Sequence, residues 1–238
     1  MVMTIDSVLS LIFLIIIEII LGIDNIIFLA ILTERLPENL RSKVRAIGLF
    51  GAWVLRIILL FSALWISKIQ QPLFMLYTIE FSLSGLFFIF GGLFLAYQAV
   101  VEIGNELDFL ERKDQSSPKT MQSLAGIILQ VMLMDLVFSF DSILTAIGVS
   151  KVFFIMAIAV TASILAMFYA TEVISKFIHK YPSIKMLALA FLIIIGVFLI
   201  AEGLTYEISR NYLYFAMFFS FLVEGLNLLY KHRKRERD

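Results

Sequence analysis

Two apolar stretches carry the same acidic signature: EIILGIDN, from Glu18 to Asn25, and DLVFSFDS, from Asp135 to Ser142. Each reads as an acid, five residues, an aspartate and a small polar residue, with Gly22 of the first answering to Ser139 of the second. The offset is constant at 117 residues, from 18 to 135 and from 24 to 141. Whether these acids lie in water or in a membrane decides the fold, and their surroundings settle it.

Outward from the two motifs, apolar runs occur at 5–32, 44–66, 81–101, 124–149, 152–174, 184–204 and 212–229. A membrane-spanning helix needs about 20 such residues. The runs are apolar all round, unlike the one-faced pattern of a soluble helix. The chain is 61% hydrophobic and 16% charged, where a soluble domain has about 45–50% and 25%. The first and fourth runs exceed the minimum and leave room for a tilt or a local break. Glu18 interrupts the first run and no basic residue precedes it, so that run is expected to be a span and not a cleaved signal. The predicted fold is all-α: a polytopic membrane domain over 1–230 with seven transmembrane helices, followed by a basic tail at 231–238.

Charge placement orients it. Fifteen lysines and arginines fall on one side: Arg35, Arg41, Lys43 and Arg45 after span one, Arg112, Lys113 and Lys119 after span three, Lys176, Lys180 and Lys185 after span five, and five in the tail. The other side has Lys68, Lys151 and Arg210. Basic loops stay in the cytoplasm, which puts the N-terminus outside and the C-terminus inside. The stretch 102–122 reads as a solvated linker. The tail suits anionic lipid headgroups, though topology control alone accounts for it. No basic face for nucleic acid is present.

The repeated motif divides the chain into copies at 5–101 and 124–204, with a seventh helix at 212–229 appended. GLFL from Gly92 and GVFL from Gly196 are a weaker second match. Three spans per copy means that the copies cross the membrane in opposite directions. Inverted repeats of this kind place a transport site at their interface, near the midplane.

A carboxylate at the bilayer centre costs about 2.5–3.5 kcal/mol, so Glu18, Asp24, Asp135 and Asp141 would together cost on the order of 10 kcal/mol in lipid. They must face the interior and be neutralised there. Arg56 is the basic residue well inside a span, and as a counter-ion it offsets one charge. The rest call for protons or a bound cation. Six residues of ideal helix advance about 9 Å and rotate about 240°, so Glu18 and Asp24 do not share a face of an unbroken helix. A break near Gly22, with a counterpart near Ser139, would turn both acids toward one cavity. By depth, the four acids make a ladder: Glu18 and Asp135 at mid-span, Asp24 toward the inside, Asp141 toward the outside.

With Asn25, Ser139, Ser142 and freed carbonyls, the donors are all oxygen, which suits Mn, Mg or Ca. No cysteine is present, and His179 and His232 lie at inner ends. Asn25 serves equally well as interhelical hydrogen-bond glue. Glu202 and Glu224, nearer span ends, are secondary candidates beside Ser139.

These motifs resemble the TerC family of integral membrane proteins. EIILGIDNIIFLAI from Glu18, DLVFSFDSILTAIGVS from Asp135, HKYPSIKMLALAFLIIIG from His179, GGLFLAYQAVVEI from Gly91 and YFAMFFSFLVEGLN from Tyr214 carry the resemblance. It covers nearly the whole chain and is strongest to the compact bacterial branch that has the membrane domain alone, within the LysE-type exporter superfamily. The resemblance implies a metal exporter with Mn2+ as transient cargo and no permanent cofactor, working through Glu18, Asp24, Asn25, Asp135, Asp141 and Ser142. Relatives often carry an Arg-Asp pair where this chain has Ser84-Gly85, and Lys in place of Gln98. An exporter of an organic cation or amino acid, or a non-transporting component of a metal or tellurite stress-response complex, remains open at this stage. An intramembrane aspartyl protease does not fit, since Gly22-Ile23-Asp24 lacks the second glycine of that motif; no enzyme is expected.

Overall fold

Each apolar run becomes a helix, in the order α1 (Ile5–Leu21), α2 (Ile23–Glu34), α3 (Glu38–Ser62), α4 (Leu83–Glu111), α5 (Leu124–Val149), α6 (Phe153–Lys180), α7 (Pro182–Gly203) and α8 (Arg210–Arg235). The computed structural model describes residues 5–34, 36–62, 72–76, 79–111, 123–149, 152–206 and 208–235, with the side chains of Asp24 and Asp141 outside that set. Six helices are long and apolar enough to cross a membrane, and α1 with α2 makes a seventh span bent by 44°. The protein is an all-α polytopic membrane protein.

Several helices outrun the apolar stretches that announce them. α4 has 29 residues, about 44 Å at 1.5 Å per residue, against about 30 Å of hydrocarbon. Residues 102–111 are therefore the end of α4 and not a solvated linker, and Glu102 is buried. Hydropathy marks only the part of a helix that lipid must cover, while the backbone pattern continues into the interface. The remainder of that stretch, 112–122, lies outside the described residues, as do Lys68 and the last three residues of the tail. A short antiparallel hairpin, β1 (Pro72–Leu76) and β2 (Ile79–Ser82), precedes α4, with Phe74 opposite Phe81 and Met75 opposite Glu80. Phe81 and Ser82, read above as the start of span three, belong to this hairpin.

Span one packs on span five, span two on span four and span three on span six. Exchanging spans 1–3 with 4–6 leaves this set of pairs unchanged. The tightest pair is α4 with α7. A Cβ on Gly85 would stand 2.8 Å from the Gly203 carbonyl oxygen, and one on Gly92 would collide with the Gly196 carbonyl. Rising numbers on one helix meet falling numbers on the other, so the two run antiparallel, backbone against backbone. In a membrane, where apolar side chains gain nothing by leaving lipid, such close approach through small residues holds helices together. α8 packs chiefly on α7 and presents Phe215, Phe218, Phe219 and Leu226 outward.

Because the α4–α7 contact is made by backbone, no neighbouring side chain can give way to a methyl group there. Gly196→Ala should destabilise the detergent-solubilised protein by about 1–3 kcal/mol. Gly104→Ala, where a Cβ meets nothing, should leave stability level or raise it by about 0.4–1 kcal/mol. Equal melting temperatures for the two variants would contradict this packing.

Candidate functional site

The site is built around Arg56, in the middle of α3. Its Nη1 donates to Glu18 Oε2 of α1 at 2.8 Å. Its Nε and Nη2 fork onto Asp135 of α5, at 2.8 Å to Oδ2 and 2.7 Å to Oδ1. Asn25 Nδ2, from α2, donates to the same Asp135 Oδ1 at 3.1 Å. Arg56 and Glu18 are each 2% exposed and Asp135 4%. One guanidinium thus binds two carboxylates from two other helices, and the trio carries one surplus negative charge when all are ionised. The two-pronged grip on Asp135 is the geometry that a planar guanidinium offers and an ammonium does not.

Asp135 and Ser142 are seven residues apart on the unbroken α5, and seven residues bring a helix back to within about 20° of the same face. Glu18 and Asn25 have the same spacing but lie on α1 and α2, either side of the turn at Gly22, so the bent pair of helices brings both to Asp135 and Arg56. The expected interruption near Gly22 is present: a turn separates α1 from α2, and Gly22 N still donates to Glu18 O at 2.9 Å. A Cβ at Gly22 would meet the Met167 methyl of α6, the end of a flexible side chain that can shift, and would stand 2.9 Å from the Glu18 carbonyl oxygen, which is backbone. The counterpart break near Ser139 is absent. α5 is continuous, and Ser139 and Ser142, both buried, donate to carbonyls of their own helix, Leu136 O at 3.3 Å and Ser139 O at 3.1 Å. A serine back-bonded to the preceding turn is carried within a continuous helix, though such bonds tend to bend it, whereas glycine costs about 1 kcal/mol in a helix interior.

Two oxygens at the site are left over. Glu18 Oε1 and Asn25 Oδ1 are both buried without a hydrogen-bond partner among the described residues. Apolar layers close the site along the bundle axis. Toward the end where α1 begins, Leu14, Leu60 and Ile143 pack with Ala159 of α6. Toward the other end, Leu49, Ile26 and Val131 belong to the main core. Among the described residues, no three His, Asp or Glu side chains form a ready metal cage. What exists is a buried, oxygen-rich cluster with surplus negative charge and two acceptors unpartnered among the described residues, an arrangement that attracts a cation or a proton. Asp24 and Asp141 lie one residue before Asn25 and Ser142, and their side chains are outside the described residues.

The secondary candidates do not join this cluster. Glu202 is gripped by Arg210 at 3.0 and 3.2 Å where α7 turns into α8. Glu224 lies on α8.

A second polar cluster, which the sequence reading treated only as topology charges, ties the basic end of the bundle. Lys185 of α7 contacts Glu106 of α4 at 2.6 Å and Glu34 of α2 at 3.2 Å. His179 of α6 reaches Glu34 at 2.7 Å. Arg45 of α3 is buried and donates to Thr33 Oγ1 at 2.9 Å and Ser175 Oγ at 2.8 Å. Its signal in the sequence was charge gathered at the ends of the apolar runs, with Arg45 and Lys185 just inside two of them and Glu34, Glu106 and His179 within five residues beyond three others.

The profile of the integral membrane protein TerC family matches residues 3–238. UPF0053 inner membrane protein YgdQ of Escherichia coli strain K12 is 43% identical over 212 residues, 89% of this chain and 88% of that protein. A UPF0053 protein of Haemophilus influenzae is 42% identical over 219 residues, covering 92% of each. UPF0053 protein YegH of Escherichia coli strain K12 is 39% identical over 222 residues, 92% of this chain but 42% of YegH. The chain belongs to the TerC family. No solved structure matches it. At the two positions where the family resemblance leads to the expectation of a charged pair, Ser84 is buried and its hydroxyl meets that of Ser82 at 2.9 Å, and Gly85 makes the close contact with Gly203 described above.

Breaking a buried ion pair by removing one partner costs about 3–5 kcal/mol. Lys185→Met strands two partly buried carboxylates and should lower the melting temperature clearly. Lys176→Met removes an exposed i,i+4 pair with Glu172 and should not move it measurably. A melting temperature unchanged by Lys185→Met would show that the cluster does not hold the basic end together.

Proposed function

We propose that this protein is a membrane carrier that exports a divalent metal cation, Mn2+ by preference, through the acidic site around Arg56. The observation that carries the reading is the surplus charge of that site: two buried carboxylates against one guanidinium, with two further acceptor oxygens unpartnered among the described residues. Burial of a net charge in a dry interior is unfavourable, and a site built this way gains by taking up a cation. Glu18, Asp24, Asn25, Asp135, Asp141 and Ser142 supply oxygen donors of the hard type that Mn2+, Mg2+ and Ca2+ share.

The pairing of spans one to three with four to six supports two inverted repeats meeting at this site, the arrangement that gives alternating access. The TerC resemblance supports manganese and the outward direction, and the name of YgdQ supports an inner-membrane location. In this reading the N-terminus is outside, the basic tail lies at the cytoplasmic lipid surface, the metal is cargo with no resident cofactor, and the chain is a carrier and not an enzyme.

Purified protein in proteoliposomes should move Mn2+ at a rate well above that of protein-free vesicles. Asp24→Asn, Asp141→Asn and Glu18→Gln should each bring the rate down to that background while still inserting, and Glu172→Gln should not. Binding to the folded state raises stability with ligand concentration, so melting curves in Mn2+, Mg2+, Ca2+ and Zn2+ would rank the metals. Flux that survives all three acid substitutions, or a preference for an organic cation over every metal, would refute the proposal.

A further inference from the structure

A carrier with a carboxylate site has a difficulty in the half of its cycle that runs without cargo. Loaded, the acids are neutralised by the cation they hold. Empty, they must recross the low-dielectric interior with their charge uncovered, and that step is strongly opposed. Such a carrier can exchange cargo for cargo freely, because it is never empty during the crossing. Net movement requires something to stand in for the cargo on the way back.

Resting on the transport reading above, we infer that Arg56 is this stand-in: its guanidinium covers Glu18 and Asp135 when the site is empty, and yields Asp135 when a divalent cation is held. Three observations point there. Arg56 takes both oxygens of Asp135 and one of Glu18, so these carboxylates cannot fully face a metal while the guanidinium keeps all three bonds. A guanidinium and a divalent ion beside the same carboxylates repel each other, which makes the two occupants alternatives. The oxygens left open, Glu18 Oε1 and Asn25 Oδ1, give an arriving cation a first foothold that requires no bond of Arg56 to break.

Arg56 is also suited to withdraw. It is fixed to α3, while the two acids come from α1 and α5. A shift of α3 relative to the other two helices changes the grip of the guanidinium without disturbing either acid's own helix. Occupation of the site and the relative position of span two thereby become one event. Arg56 is in this sense a positioning and coupling residue, acting on the carboxylates and not on the cargo.

Exchange and net flux separate this role from a structural one. Vesicles loaded with radiolabelled Mn2+ are diluted either into buffer containing unlabelled Mn2+, to read exchange, or into metal-free buffer, to read net efflux. In Arg56→Gln, the ratio of net efflux to exchange should fall by about tenfold or more, within the range that coupling between two bound species spans, whatever the exchange rate itself. Mn2+ should stabilise Arg56→Gln against heat at lower concentrations than it stabilises wild type, because the internal competitor is gone. Arg56→Lys keeps the charge but loses the fork, so its ratio of net efflux to exchange should lie near wild type even if both are slower. That variant carries the test should Arg56→Gln fail to insert.

Net efflux and exchange falling together in Arg56→Gln, or Mn2+ stabilisation of Arg56→Lys that needs higher concentrations than wild type although its fork is lost, would make Arg56 a structural clamp and overturn the inference while leaving the carrier reading intact. Wild-type vesicles that perform neither reaction would remove the carrier reading itself.

Discussion

A guanidinium and two carboxylates sealed inside a membrane protein set the terms for everything around them. Taking ions out of water costs several kcal/mol each even after relaxation, and the attraction between them repays this only when geometry and hydrogen bonding are good. Here the geometry is good: three donors of Arg56 are used at 2.7–2.8 Å, and Asn25 adds a fourth hydrogen bond to the trio. Yet apolar residues of similar volume would fill the same space at no electrostatic cost. A buried ionic cluster is therefore poor material for stability alone, and one with a surplus charge and unmet acceptors is poorer still. Its presence makes sense as a site whose charge is meant to change.

The rest of the bundle makes such a site tolerable. α4 and α7 lock through glycine-to-glycine contacts that admit no side chain, giving a rigid pair at which the two halves meet. Apolar layers above and below the trio keep water and lipid headgroups from screening it. At the basic end, Lys185, Glu34, Glu106 and His179 join α2, α4, α6 and α7, and Arg45 ties α3 to α2 and α6. These partners come from both halves, so the basic end is cross-linked by polar contacts. At the opposite end the described contacts are mainly apolar, with Phe61 set edge-on against Phe153. The two ends are closed by different chemistry, and polar links of this kind loosen more readily than packed cores once water reaches them.

Much of this was legible in the residues. The spans followed from hydropathy because lipid imposes its demand on every residue of the crossing segment, and the bend near Gly22 followed from an acid spacing that an unbroken helix cannot reconcile. What escaped had a physical reason in each case. Phe81 and Ser82, the last residues of the hairpin before α4, adjoin an apolar run and so read as span. Glu102 and Glu106 looked solvated because charge marks the end of the hydrocarbon, but an α-helix needs no hydrocarbon to continue. Arg56 was recognised as a counter-ion, while its hold on two acids at once depended on three helices converging, which no local pattern records.

The two copies of the acidic motif are alike in sequence and unlike in conformation. The first is bent by 44° where glycine stands; the second runs straight through Ser139, whose hydroxyl is returned to the preceding turn. On the proposed reading of inverted repeats, identical conformations in both copies would give a site equally open or equally shut on both sides. Inequality is what makes access one-sided. A serine back-bonded to the preceding turn is a point at which a helix bends readily, and α5 nevertheless runs continuously through Ser139. The difference between Gly22 and Ser139 then sets a bias between two states of one device: the first copy is bent, and the second is straight with a bendable point at the matching position. Arg56, reaching from span two to the acid of each copy, is the group placed to feel both.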